Sequence, residues 1–204
     1  MRPVKSLDSA SNPSYLDLSL SRFFKLVSEA KPAPAGGSVA AVSLGLAASL
    51  CAKAARLSTK QMPDASTIII AAELFRDRAG SLCDADAAGY NCVISALRQP
   101  GTLDPKIRHQ AIAEALSIAS NVPVEIVEIS AGVADLAARI AEHGNQNLLG
   151  DAVTAALLAE SSARSAATLV WINLEGLPDD DRLSRVALLL ESVVESSTRA
   201  RRHS

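Results

Sequence analysis

Apolar residues recur along most of this chain at the three- and four-residue spacing of helices, and strict apolar–polar alternation is rare. Ser19 stands where an N-cap is expected. The spacing then predicts a first helix over Leu20–Ala30, with Phe23, Phe24 and Val27 on its apolar face. Pro32 and Pro34 stop it, and Gly36 and Gly37 lead into a second helix from Ser38 to Leu57. There Gly37, Ala41 and Gly45 recur every four residues, as do Ala48 and Ala52. They form a stripe with almost no side chain, which another helix can approach closely. Asp64 is placed to cap a third helix reaching Leu97, whose stripe holds Ile69, Ala72, Phe75, Ala79, Leu82, Tyr90, Val93 and Leu97. Gln99-Pro100-Gly101 break it. Asp104-Pro105 opens a fourth helix with a capping carboxylate followed by proline at the first helical position. It runs to about Asn121, where Pro123 kinks or restarts the chain into a fifth helix ending near His143. Gly144 fits the left-handed residue that closes many helices. A sixth helix spans about Asp151 to Leu174. A last one starts in the Asp179–Asp181 cluster, whose carboxylates suit the positive end of a helix dipole.

Six or seven helices with short connections predict an all-α fold, an antiparallel bundle forming a single domain over residues 19–198. A flexible arm of residues 1–18, with Pro3 and Pro13, precedes it. A basic tail of residues 199–204, with Arg199, Arg201, Arg202 and His203, is expected to be solvated. Uncharged stretches around Ala41, Val93 and Ala166 predict a central small-residue hairpin, and a homo-oligomer is one way to bury so much helix surface.

Composition narrows the function. Aromatic residues are 3% of 204, too few for an all-β barrel or a base-stacking platform. A formal net charge of -2 leaves no basic field to hold nucleic acid. No charge falls between Ala33 and Ala52, close to the length of a membrane span. However, the content is mostly Ala, Gly and Ser behind two prolines, which reads as a helix packed inside a protein rather than in a membrane. Cys51, Cys83 and Cys92 make an odd set without C-x-x-C spacing, read as reduced, mostly buried thiols of a cytoplasmic protein. The first residues are polar and lack the apolar core of a signal peptide.

Three polar strings could carry chemistry. Gly36-Gly37-Ser38 sits at a predicted helix N-terminus, where free N–H groups favour an anion; it also reads as a tight turn with a cap. Asp84 and Asp86 lie mid-helix in apolar surroundings, two residues apart, so at most one faces the core. A carboxylate there needs a raised pKa or a cation, and the alternative is a solvated pair. His143-Gly144-Asn145-Gln146-Asn147, with Asp151 just beyond, gathers amides that could orient a heterocycle or merely form a polar turn. The three histidines are scattered with no zinc spacing, and no Walker, G-x-G-x-x-G or G-x-S-x-G string occurs.

Taken in order, these strings resemble the cyclodeaminase/cyclohydrolase family of folate one-carbon enzymes over roughly Ser19 to Leu174. The family's P-x-P-G-G-G-S stands here as Pro32-Ala33-Pro34-Ala35-Gly36-Gly37-Ser38, and its D-x-x-A-[FY] as Asp86-Ala87-Ala88-Gly89-Tyr90. R-x-x-A-I-x-x-A-L followed by V-P matches Arg108 to Leu116 and Val122-Pro123. G-N-x-N-x-x-S-D matches Gly144 to Asp151, and N-V-x-I-N matches Leu169 to Asn173. The chain departs at Ala35, Gly150 and Leu169, and the family's G-K-K-K-Y stretch has no counterpart after the second helix. The resemblance implies an all-α homodimer that binds a tetrahydrofolate derivative in a cleft partly at the subunit interface, with neither metal nor prosthetic group. The leading expectation is hydrolysis of 5,10-methenyltetrahydrofolate to 10-formyltetrahydrofolate. The alternatives are formiminotetrahydrofolate cyclodeaminase, which releases ammonia, and a non-catalytic helical dimer. The implied roles are proton transfer by Asp86 or Asp151 and positioning of the one-carbon unit or a carboxylate by Gly36, Gly37 and Ser38. Asn145 and Asn147 would hold the pterin or aminobenzoyl part, and Arg108 or Lys53 the glutamate tail. These strings are expected to converge on one pocket.

Overall fold

A computed structural model describes residues 14–98 and 104–203. Among the described residues the chain is all-helical. Its helices are α1 (Leu20–Val27), α2 (Gly36–Arg56), α3 (Ala65–Leu97), α4 (Pro105–Ala119), α5 (Asn121–His143), α6 (Leu149–Asn173) and α7 (Asp181–Arg201). Single 3-10 turns cover Tyr15–Asp17 and Gln146–Leu148. The Gln99-Pro100-Gly101 break and the stretch with Pro3 and Pro13 lie outside the described residues.

Local chemistry sets several of these boundaries. The Ser19 hydroxyl accepts the Arg22 N–H, the Asp104 carboxylate accepts Lys106 N–H ahead of Pro105, and Asp180 accepts Arg182 N–H. Asp64 does not cap α3; its carboxylate pairs instead with Arg139 across the bundle.

The small-residue stripe does what its spacing predicts. α2 packs against α3, α5 and α6, and α5, α6 and α7 pack on one another. Ala41, Ala48 and Ala55 of α2 and Ala152, Ala159 and Ala166 of α6 are fully buried. Side chains this short let helix axes approach, and the larger Leu44, Ile68, Ile126 and Val133 fill the remaining core. By length and composition α2 and the span Pro105–His143 could each cross a membrane. In this fold over half of the apolar α2 segment is buried against protein.

Two positions carry glycines that packing explains. A Cβ on Gly132 would come 2.5 Å from the Phe75 ring, so the missing side chain is what lets that ring lie against α5 in its present position. Gly144 is not left-handed: its φ is -81° and ψ -171°, an extended conformation open to any residue. It is glycine because a Cβ would lie 2.5 Å from the Ile140 carbonyl oxygen and 2.9 Å from Ser58 Oγ. Gly144→Ala should therefore cost about 1–3 kcal/mol in urea unfolding, the range of an overpacked core; an unchanged midpoint would show that the loop yields freely.

Other expectations are corrected. Of the three apolar α1 residues only Phe23 is buried; Phe24 and Val27 face outward, because this two-turn helix presents a single narrow face to the bundle. Tyr90 and Leu97 are exposed members of the α3 stripe. Part of the expected loose arm is docked: Asp84 accepts Ser14 Oγ at 2.5 Å and Tyr15 N–H at 2.9 Å, and Tyr15 packs edge-on to Phe23. Arg199, assigned to the tail, lies within α7 and makes a two-pronged contact with Glu142 of α5, 2.8–3.0 Å. Cys51 and Cys83 are buried and Cys92 is exposed.

Candidate functional site

The α2–α3 hairpin runs antiparallel, and its register can be followed from contact to contact. Arg56 pairs with Glu73, Gly45 lies against Ala79, and Ser38 reaches Cys83 and Asp86. The N-terminus of α2 therefore meets the middle of α3. There Ser38 Oγ, fully buried, is 3.1 Å from the Cys83 carbonyl oxygen and 3.0 Å from Asp86 Oδ2. Its single proton serves one acceptor at a time. A Cβ on Gly37 would fall inside the Asp86 carboxylate, so glycine is what lets that carboxylate lie against the helix terminus. The cap residue Ala35 offers no side-chain oxygen to the first turn of α2, and the Asp86 carboxylate takes that place from α3.

Asp86 is half-buried. Burial pushes its pKa above the ordinary carboxylate value, against the opposing pull of the Ser38 hydroxyl and backbone N–H. Of the two neighbouring aspartates, it is the one aimed at the cavity; Asp84 holds the Ser14–Tyr15 turn. The Cys83 thiol is pushed up to about 12, by burial first and then by Asp84 and Asp86, so it stays protonated and inert as a nucleophile near neutrality.

In front of Asp86 lies a cavity of about 180 Å³. Ala35, Gly36 and Gly37 form one wall, Asp86, Tyr90 and Val93 of α3 another, and Leu169 and Asn173 of α6 a third. The α4–α5 joint closes it with Ala119 and Pro123. Arg182 fixes that joint by bonding Ser117 O, Ser117 Oγ and Asn121 Oδ1 while held by Asp180, whose carboxyl this arginine pulls down to about 2. A polarisable carboxyl, a helix terminus and an aromatic hydroxyl at the mouth of an apolar pocket can bind a cationic heterocycle and move a proton at it.

The expected convergence is only half present within one chain. Gly36, Gly37, Ser38 and Asp86 come together. Lys53, Asp151, Asn145 and Asn147 form a second group at the far end of α2, about 24 Å along the helix axis at ~1.5 Å per residue. There Lys53 Nζ is 2.7 Å from Asp151 Oδ2. Asn145 donates its backbone N–H to Ser58 Oγ and its Nδ2 to the Leu57 carbonyl, and caps the turn by accepting Asn147 N–H on Oδ1. Arg108 belongs to neither group; it lies on α4 and donates to the Leu97 carbonyl at 3.1 Å. Tyr90 and Asn173 line the cavity although neither was singled out as a candidate. The signal was available, because both close strings that carry the family resemblance. Among the described residues no group of three or more His, Cys, Asp or Glu gathers as metal ligands would.

Fold and site thus define an all-helical protein with an enclosed carboxylate at a helix N-terminus. The family model described as formiminotransferase-cyclodeaminase matches residues 19–191, and the chain belongs to that family. It is 32% identical over 181 residues to a methenyltetrahydrofolate cyclohydrolase of Methylorubrum extorquens, covering 82% of this chain and 86% of the relative. It is 30% identical to the formimidoyltransferase-cyclodeaminase of Rattus norvegicus over 85% of this chain, while spanning about a third (34%) of that longer protein. The crystal structure of a formiminotetrahydrofolate cyclodeaminase from Thermotoga maritima superposes with a TM-score of 0.80 at 25% identity, covering 92% of this chain and 96% of the other.

Proposed function

We propose that this chain is a methenyltetrahydrofolate cyclohydrolase, with Asp86 as the proton-transfer group. The observation that carries the reading is the Asp86 carboxylate, held against Gly37 and Ser38 and facing a cavity. The name of the bacterial relative, which matches this chain along most of both lengths, supports the substrate.

The chemistry fits a lone carboxylate. The methenyl carbon of the substrate is an amidinium-like cation between N5 and N10. A carboxylate beside it stabilises the cation and takes a proton from water as the oxygen bonds to carbon. The neutral carbinolamine then loses its hydroxyl proton as the C–N5 bond breaks and N5 is protonated, leaving a formyl group on N10. One proton is released overall. Decay of methenyl absorbance above the uncatalysed rate is the expected result. The similarity to cyclodeaminases favours a second reading, closure of formiminotetrahydrofolate with loss of ammonia. Ammonia release without methenyl decay would decide for it, and neither activity would leave the non-catalytic helical protein that Ala35 and Leu169 in the cavity wall allow.

The reading also includes a homodimer whose sites are shared. From Pro32 to Ala52 no residue is charged, yet Val39 and Leu46 of α2 are exposed, with Leu157 of α6 also exposed. Leu46, 56% exposed, lies midway along α2 between Ser38 and Lys53. A twofold axis there would set the Lys53–Asp151 pair of one protomer opposite the Asp86 cavity of its partner, restoring the convergence that one chain lacks. Asp151→Asn should then lose turnover like Asp86→Asn. Mixing the two inactive variants should recover about a quarter of wild-type activity, since half the dimers are mixed and each holds one intact site. No recovery on mixing would place the working groups in one chain, and an active Asp151→Asn would remove that residue from the site.

A further inference from the structure

Beside the Asp86 cavity lies a second groove of about 230 Å³, between the first turns of α2 and the middle of α6. Gly36, Val39, Ala40 and Ser43 form one side, and Ser161, Ser162, Ser165 and Leu169 the other. Gly36 and Leu169 line both spaces, so the two adjoin at the α2 terminus. A Cβ on Gly36 would meet no atom within 4 Å, so bundle packing does not explain this glycine; what it leaves open is the junction of the two cavities.

The hydroxyls along the groove are not equivalent. Ser162 and Ser165 are turned back onto the Leu158 and Ser161 carbonyls of their own helix. Among the described residues the Ser43 and Ser161 hydroxyls bond nothing. Ser43 on α2 and Ser161 on α6 both line the groove, together with Gly36, Val39, Ala40 and Leu169. That lining suits a flat aromatic ring followed by an amide: small residues for the ring face, aliphatic edges beside it, and two unspent donors for a carbonyl. Within one chain no charged side chain lines it, so recognition by these residues runs through hydrogen bonds and shape rather than an ion pair.

We infer that the Ser43–Ser161 groove binds the aminobenzoyl-amide portion of the folate while the one-carbon centre sits beside Asp86, so that Ser43, Ser161 and Gly36 determine preference for a complete folate over a bare pterin. This rests on the folate reading above and extends the site along α6.

The test compares two probes, 5-formyltetrahydrofolate and 5-formyl-6-methyltetrahydropterin, which lacks the aminobenzoyl-glutamate. Binding of each is titrated against the wild type, the Ser43→Val/Ser161→Val double variant and Gly36→Ala, all first shown helical by circular dichroism. The double variant should weaken the complete folate about tenfold, the loss of two modest hydrogen bonds, and leave the pterin within about twofold. Gly36→Ala, with a methyl at the junction, should weaken the folate selectively as well. Equal weakening of both probes, or unchanged folate affinity in the double variant, overturns the inference while the folate reading stands. A wild type that binds neither probe overturns both.

Discussion

Asp86→Asn is expected to lower turnover about 10²–10⁴-fold, the contribution typical of a positioned acid or base, while the protein remains folded. The amide keeps the shape of the carboxyl, and its oxygen can still accept from Ser38 Oγ, so the α2–α3 contact survives. What it loses is the ability to carry a proton and to face a cation with negative charge. The pH dependence provides a second readout. Burial raises the Asp86 pKa in the folded protein, so between its unfolded and folded values the native state holds a proton that the unfolded chain has already released. Stability from this group therefore falls as pH rises through that window, and the penalty is complete above the folded pKa. The Asn variant lacks the penalty. Its urea midpoint should equal or exceed that of the wild type at neutral pH, and the gap should close in acid. On the activity side, kcat/KM should fall in acid at a pH above the ordinary aspartate value, because the base must be ionised to take a proton from water. Full turnover by Asp86→Asn would move the proton transfer elsewhere. Loss of activity together with loss of stability at neutral pH would mean that the carboxylate is structural.

That pairing of lost rate with retained or gained stability distinguishes Asp86 from the other charges on this protein. Asp180 is the opposite case: half-buried, held by Arg182, and pulled down. Its stabilising contribution is present above its unfolded pKa and is lost as pH falls through the depressed folded value. A scan of stability against pH therefore contains both signs, and the Asp86 contribution is recovered only as the difference from Asp86→Asn.

How much of this was legible in the sequence depended on the range of the interaction. Ser19, Asp104-Pro105 and Asp180 act on atoms within a turn, so the chain alone discloses those helix starts. The small-residue spacing of α2 likewise discloses a close-packed helix, though not which helices close on it. Phe24 shows the limit of periodicity, because a helix of two turns next to a second aromatic gives no way to tell which ring turns inward. Gly144 shows another limit. Its identity answers to Ser58 and Ile140, and Ser58 is far away in sequence, so a local rule assigned the wrong conformation for an understandable reason. The meeting of Gly37 with Asp86 depends on the register of a long hairpin, which no local pattern encodes. Likewise Asn145 is drawn to Leu57 and Ser58 by hydrogen bonds at the opposite end of α2, so ordered strings did not become one cluster within the chain.

Gly37→Ala should be the more damaging of two adjacent, chemically identical changes. In the interior of an exposed helix a Gly→Ala change stabilises by roughly 0.5–1 kcal/mol. Gly36 opens α2, so Gly36→Ala should be neutral to mildly stabilising, its new methyl meeting no protein atom. At Gly37 the methyl would occupy the space of the Asp86 carboxylate, so the sign reverses. Either α2 retreats from α3 or Asp86 leaves the helix terminus, at a cost of about 1–3 kcal/mol for an overpacked contact. The chemical cost is larger, since displacing a reacting group by about 1 Å can cost about 10²-fold in rate. A compensating variant separates these effects. Asp86→Ala should make room for the Gly37→Ala methyl, and the double variant should regain the urea midpoint that Gly37→Ala loses, while remaining inactive. The two changes would then be coupled by more than the ~0.5 kcal/mol expected of independent sites. Additive stabilities would show that Gly37 and Asp86 do not touch in solution. The carboxylate would then lack the helix terminus that holds it over the cavity, and the acid–base role assigned to it would fall with that contact.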